Sequence, residues 1–238
     1  RESEATHEYG VAWIDCAADG GARERGVFVR ANHADDPAPA AMPQRRLRLP
    51  LTPPLSLVNR WTLRAFNAVY YRAQRKGNLR RHYAPYFYPL DAVGDWNRIY
   101  GPGGFFQFQC VVPPHAAEAA IPELLARVRT DGEGSFLAVL KLFGEHRGRG
   151  LLSFARPGTT LAIDFANRGA RTRVLLDALD AVVAAAGGAV YPAKDAHMAG
   201  ARFRQYFPQW MQLGALRDPA FSSSFWRRVT KDTPCAES

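Results

Sequence analysis

Residues 104–112, Gly104-Phe105-Phe106-Gln107-Phe108-Gln109-Cys110-Val111-Val112, decide the fold. The run is strongly apolar and is stopped by Pro113-Pro114, so it reads as a strand. Side chains alternate on a strand, which sends Phe106, Phe108 and Cys110 toward a core and Gln107 and Gln109 together to the other face. Two amides on one face of an apolar strand have two readings. The face is open to solvent, or it lines a cleft in which a ligand hydroxyl meets the hydrogen-bonding need of a buried amide.

Working outward, residues 116–130 have the helical spacing Ala120, Leu124, Leu125, Val128. Residues 135–143 and 159–166 read as strands. Residues 170–186 read as a helix, with Val174, Leu175, Ala178, Leu179, Val182 and Val183 apolar and Gly187-Gly188 ending it. From 104 onward the order is close to a β-α-β-β-α-β split unit. The fold class is therefore α+β, an antiparallel sheet with helices packed on one face. Upstream, 9–18 and 27–31 read as a strand pair, possible as a hairpin around a glycine-containing turn. Residues 35–56 are proline-rich and read as a long loop without a regular element. Residues 57–76 read as a basic amphipathic helix with Val58, Trp61, Ala65, Val69 and Ala73 as its apolar positions. Short helices are expected over 196–207, capped by Asp195, and over 221–229.

The formal net charge of +9 is local. Between Pro37 and Leu90 there is no Asp or Glu, against ten cations: Arg45, Arg46, Arg48, Arg60, Arg64, Arg72, Arg75, Lys76, Arg80 and Arg81. The other 21 of the 31 Lys and Arg residues balance the 22 Asp and Glu. Such a window attracts phosphate, nucleic acid or an anionic membrane surface. Leu47-Arg48-Leu49-Pro50-Leu51-Thr52-Pro53-Pro54-Leu55 mixes cations with apolar residues as a membrane-interface loop does. It contains no helix-turn-helix or zinc pattern, which makes nucleic acid the weaker reading.

Cys16, Cys110 and Cys235 form no Cys-x-x-Cys pair, and an odd count fits a reducing compartment; Cys16 and Cys110 read as buried core thiols. No apolar run is long enough for a spanning helix. The chain is expected to be cytoplasmic and peripheral to a membrane at most. The six histidines show no metal spacing, and no glycine-rich phosphate loop is visible. Lys141 and Asp164 each interrupt an apolar strand. They either pair across neighbouring strands or face a polar cleft, because an unpaired buried charge is costly.

Five short segments carry a resemblance. They are Phe-Tyr-Pro-Leu-Asp (87–91), Trp-Asn-Arg-Ile-Tyr-Gly (96–101), Phe-Phe-Gln-Phe-Gln (105–109), Leu-Lys-Leu-Phe-Gly (140–144) and Tyr-Pro-Ala-Lys-Asp (191–195). In this order and spacing the chain resembles, over about residues 8–230, the substrate-binding half of flavin-dependent sugar oxidoreductases of the vanillyl-alcohol-oxidase group. The resemblance implies a cap domain over 1–190, with a basic loop and helix insertion at about 35–85. It implies that 191–238 would complete a flavin-binding domain, and that the N-terminal FAD-binding domain lies outside this chain, which begins at Arg1.

The implied function is oxidation of a sugar or alcohol hydroxyl, with a polyprenyl-phosphate-linked sugar as one candidate substrate, by hydride transfer to FAD. The chain alone is then expected to be inactive and to bind FAD weakly at most. The implied catalytic residue is Lys194, which with Tyr191 would contact the cofactor. Gln107, Gln109, Lys141, Phe143 and Phe87 would line the substrate pocket. Two positions depart from the resembled pattern: Phe87 replaces a tyrosine, removing a pocket hydroxyl, and Ala162 replaces a reactive cysteine. The alternative function is a non-catalytic basic module that binds lipid phosphate or nucleic acid.

Overall fold

Eight strands and seven helices are formed in the computed structural model, which describes residues 6–16, 25–35, 47–74, 76–131, 134–146, 148–194 and 197–231. The strands are β1 (Tyr9–Ile14), β2 (Gly26–Ala31), β3 (Leu47–Arg48), β4 (Val93–Gly94), β5 (Phe105–Val112), β6 (Ala138–Phe143), β7 (Gly158–Ala166) and β8 (Ala189–Val190). The helices are α1 (Arg60–Ala73), α2 (Ala84–Phe87), α3 (Ala117–Thr130), α4 (Ala170–Ala185), α5 (Gly200–Tyr206), α6 (Trp210–Leu216) and α7 (Ser224–Thr230).

The main sheet has six strands in the order β2-β1-β6-β7-β5-β8, and every pairing in it is antiparallel. From β5 the chain runs β5-α3-β6-β7-α4-β8, a split β-α-β arrangement, and the β1–β2 hairpin extends the sheet beyond β6. Helices α3 and α4 cover one face. Leu124, Leu125 and Val128 of α3 and Leu175, Leu176 and Leu179 of α4 pack on Phe108, Cys110, Leu161, Ile163 and Phe165. The alternation in β5 is what places Phe108 and Cys110 in this core. Cys16 and Cys110 are buried free thiols, while Cys235 and the proposed cap Asp195 lie outside the described residues.

The opposite face is covered only in part. Helix α1 crosses one end of it. Asn59 caps α1 by accepting from the Trp61 and Thr62 amides, and Thr62 Oγ1 accepts from the Asn59 amide in return. Of the apolar positions read from sequence for 57–76, Val58 is buried just ahead of α1, but Trp61 and Val69 are each 67% exposed. The buried pair is Leu63 and Asn67. Asn67 Nδ2 donates to Asp15 Oδ1 at 2.6 Å, Arg25 Nε donates to Asp15 Oδ2 at 2.7 Å, and this polar tie sets which side of α1 faces the sheet. Tyr70 packs on Trp13 and Phe66 on Phe136 beside it.

The proline-rich stretch holds one regular element after all, because β3 pairs parallel with β4. Asp95, at φ 57°, accepts from Arg48 Nε at 2.6 Å, and Arg98 donates to the Leu49 and Pro50 carbonyls, so loop and turn are tied together. Residues 36–46 of the stretch lie outside the described residues. At the β8 edge a second core forms from Phe203, Tyr206, Phe207 and Val229, which pack with Val111 and Ala189. Helix α6 has no counterpart in the sequence reading, and α5 begins at Gly200 rather than at 196. Among the described residues no helix is long and apolar enough to cross a membrane.

Candidate active site

In-register partners in an antiparallel sheet share a face, so the register assigns the open face residue by residue. Gln107 lies opposite Asp164, Gln109 opposite Ala162, and Lys141 opposite both Thr160 and Val11. These side chains therefore stand on the face that α3 and α4 leave free. Gln109 Nε2 donates to Thr160 Oγ1 at 3.4 Å, which links the amide row to the strand neighbouring Lys141. The Gln109 carbonyl accepts from the Tyr191 amide at 2.8 Å, and this backbone bond fixes where the chain leaves β8.

The turn that follows β8 brings Lys194 back over β5. Lys194 Nζ donates to Gln107 Oε1 at 3.1 Å. The lysine itself is exposed, and Gln107 and Gln109 are half-buried. Behind them Asp164 is 4% exposed, and its Oδ2 has no hydrogen-bond partner. Burial pushes the Asp164 carboxyl up to about 6, and the hydrogen bond from the Gln107 side chain and the Lys194 charge hold it back from rising further. Tyr100, also buried, has its phenol pushed upward by burial and by the Asp164 charge, so it stays protonated.

Aromatic rings bound the face at both ends. Tyr100 stacks on Phe105 at 4.5 Å, with Trp96 against the same ring. At the other end Tyr191 stacks on Phe154 at 4.6 Å, and Phe143 meets Phe154 edge-on. Phe143 thus stands at the wall of the face, next to Tyr191. Phe87 packs edge-on against Tyr9 of β1 at 5.0 Å. Tyr9 lies two residues before Val11, the register partner of Lys141, so Phe87 stands at the Lys141 end of the sheet and away from Gln107.

The pairing of Lys141 with Asp164 does not form. Lys141 faces Thr160, four residues along β7 from Asp164 and so roughly 13 Å away, and it is exposed. Asp164 is instead the hidden member of the Gln107–Lys194 group. Its apolar neighbours in sequence signal a buried carboxylate. Only the β5–β7 register shows which amide it meets, and Thr160 joins the site for the same reason, while Tyr100 joins it by stacking on Phe105.

The donor set suits the ring end of a flavin: an exposed ammonium held by an amide, beside a half-buried tyrosine ring, at the edge of a face that carries two amides and a second ammonium. It suits hydroxylated substrates equally, because amides both donate to and accept from hydroxyls.

No family model matches the chain. Decaprenylphosphoryl-beta-D-ribose oxidase of Mycolicibacterium smegmatis is 32% identical over 245 residues, taking in 95% of this chain and 52% of its own length. The Streptomyces coelicolor protein named as uncharacterized protein in mprA 5'region is 31% identical over 256 residues, taking in 96% of this chain and 67% of its own length. The chain thus spans about half the length of the first and two thirds of the second. The chain belongs to the family of FAD-linked oxidoreductases represented by decaprenylphosphoryl-beta-D-ribose oxidase.

Proposed function

We propose that this chain is the substrate-binding part of an FAD-dependent oxidoreductase that oxidises a sugar or alcohol hydroxyl, with a polyprenyl-phosphate-linked sugar as the favoured substrate class. The observation that carries the reading is the Lys194–Gln107 hydrogen bond, which sets a cation over the amide row on the open face. Bound flavin would supply the hydride acceptor. The residues of the chain do the rest. Gln107 and Gln109 hydrogen-bond neighbouring hydroxyls and fix which carbon is presented. The Lys194 ammonium would stabilise negative charge on the reacting oxygen as its proton passes to solvent. Lys141 lies on the same face and supports a phosphate or further hydroxyl. Tyr191, stacked on Phe154, offers a flat edge to the cofactor. Residues 1–190 form the cap in this reading, and 191–238 complete a flavin-binding domain whose main part is supplied elsewhere in the protein.

The test compares this chain with the full-length protein. The chain alone should carry little flavin and no activity, whereas the full-length protein should hold stoichiometric FAD and reduce it with a sugar or polyol. Tight stoichiometric FAD on the chain alone would place the cofactor site wrongly.

A second proposal rests on a separate surface. Leu47, Leu51 and Leu55 are 77–78% exposed and Trp61 and Val69 are 67% exposed, with Arg60 and Arg64 in the same stretch of sequence and Arg48 held by Asp95. Such residues fit an anionic lipid surface, with apolar side chains entering the interface and cations near lipid phosphate contributing about 1 kcal/mol each. It would bring a lipid-linked substrate to the open face.

A further inference from the structure

We propose that Asp164 sets the direction of the Gln107 amide and through it how firmly Lys194 is held, so that protonation of a buried carboxylate is read out at an exposed lysine. The proposal rests on the function above only in taking Lys194 as the working group; the linkage belongs to the chain's own hydrogen bonds. An ammonium has three donors and no acceptor, so the Gln107 atom facing it must be Oε1. The amide nitrogen is then the remaining end of Gln107. Directly across the β5–β7 pair stands Asp164, buried, whose ionised carboxylate can only accept. The donor-to-acceptor order therefore runs from Lys194 through Gln107 to Asp164.

A proton on Asp164 weakens one link. Oδ2, without a hydrogen-bond partner, is the oxygen open to the proton. The other oxygen still accepts from Gln107, but as a neutral carbonyl it is a weaker acceptor than a carboxylate. The amide, and with it Lys194, is then held less firmly. The groups that bear on Asp164 are Gln107 from β5, Lys194 from the turn after β8, and the Tyr100 phenol from the segment before β5. Tyr100 stays protonated through the acidic and neutral range, so it adds no competing titration. Burial places the Asp164 midpoint near 6, where the change is accessible near neutrality.

Nuclear magnetic resonance on the intact chain tests this directly. The Gln107 side-chain NH2 and the Lys194 side-chain signals are followed from well below to well above the midpoint of about 6. Both should follow one common transition at that midpoint. The transition should vanish in Asp164→Asn. In Gln107→Met, Asp164 should still titrate while the Lys194 response shrinks to the direct effect of the Asp164 charge. A flat Lys194 curve in the wild type overturns the proposal. So does a transition that persists in Asp164→Asn, which would point to a different acid such as the adjoining Asp195. If Asp164→Asn fails to fold, the wild-type and Gln107→Met curves decide. No flavin or substrate enters the measurement. A failed linkage therefore leaves the oxidoreductase reading standing, and a failed flavin assay leaves the linkage standing.

Discussion

Lys194 Nζ donates to Oε1 of Gln107 at 3.1 Å, which joins the turn after β8 to the middle of β5. The two residues are 87 positions apart in sequence, and the bond exists because β8 pairs with β5 at Cys110–Val190 and Val111–Ala189. Gln109 lies on the same face, two residues along. If both amides hold substrate hydroxyls, Gln107→Leu and Gln109→Leu in the full-length protein should each weaken substrate binding roughly tenfold, the equivalent of one hydrogen bond of about 1.4 kcal/mol. Steady-state KM and kcat are the check. Unchanged KM in both variants would remove the amides from the substrate site.

Asp164 makes a second expectation, about stability. Its carboxyl is pushed up to about 6 in the fold, above the ordinary carboxylate value. The native state therefore binds more protons than the unfolded chain between about pH 4 and 6, and stability falls as pH rises through that window. About two pKa units correspond to roughly 3 kcal/mol of burden at neutral pH, to order of magnitude. Asp164→Asn removes that burden while keeping the shape. Thermal melts should show the variant more stable than wild type at neutral pH, with the difference shrinking below pH 4. An equal effect at both pH values would contradict the assignment.

Asn67 is the polar bolt between α1 and the sheet, through Asp15 and Arg25. Asn67→Ala removes one donor from the buried Asp15 carboxylate, at a cost of about 1–3 kcal/mol. Denaturant unfolding should show that loss. Trp61→Ala, on the exposed side of the same helix, should change stability by no more than about 0.5 kcal/mol.

The exposed side of α1 and the 47–55 loop should bind anionic vesicles in co-sedimentation, less strongly as salt rises. Neutral vesicles and duplex DNA should bind more weakly. Arg60→Gln with Arg64→Gln should lower the anionic binding, and Leu51→Ser with Leu55→Ser should lower it further. Indifference to lipid charge would end the membrane proposal, and sequence-dependent DNA binding would favour the nucleic-acid alternative.

What was legible in the sequence follows from how local each signal is. The alternation in β5 shows its two faces without any partner strand, so the core side of Phe108 and Cys110 and the shared side of Gln107 and Gln109 can be read directly. The stripes of α3 and α4 are nearly as plain, since Leu124, Val128, Leu175, Leu179 and Val183 all find the sheet, while Val174 of the α4 stripe stays exposed. Register is not local. Asp164 and Lys141 look like partners when only composition is considered, yet four residues of β7 separate their rows. The docking face of α1 is not local either, because Trp61 and Val69 are apolar yet exposed, while Leu63 docks beside Asn67, the asparagine that serves Asp15. Only the resemblance points to Phe87, and its packing on Tyr9 depends on how 84–94 folds back over β1.

The central claim, that this face presents an alcohol to a flavin under Lys194, is tested most directly by anaerobic flavin reduction in the full-length protein. Wild type and Lys194→Met are loaded with FAD and mixed with polyprenyl-phosphate-linked ribose and with simple sugar alcohols, and the bleaching of the flavin bands is followed. The account predicts rapid bleaching in wild type with at least one substrate. It predicts bleaching slowed on the order of 10²-fold or more in Lys194→Met, with flavin still bound. Bleaching at the wild-type rate in Lys194→Met, or none in wild type with any hydroxylated substrate, would contradict it.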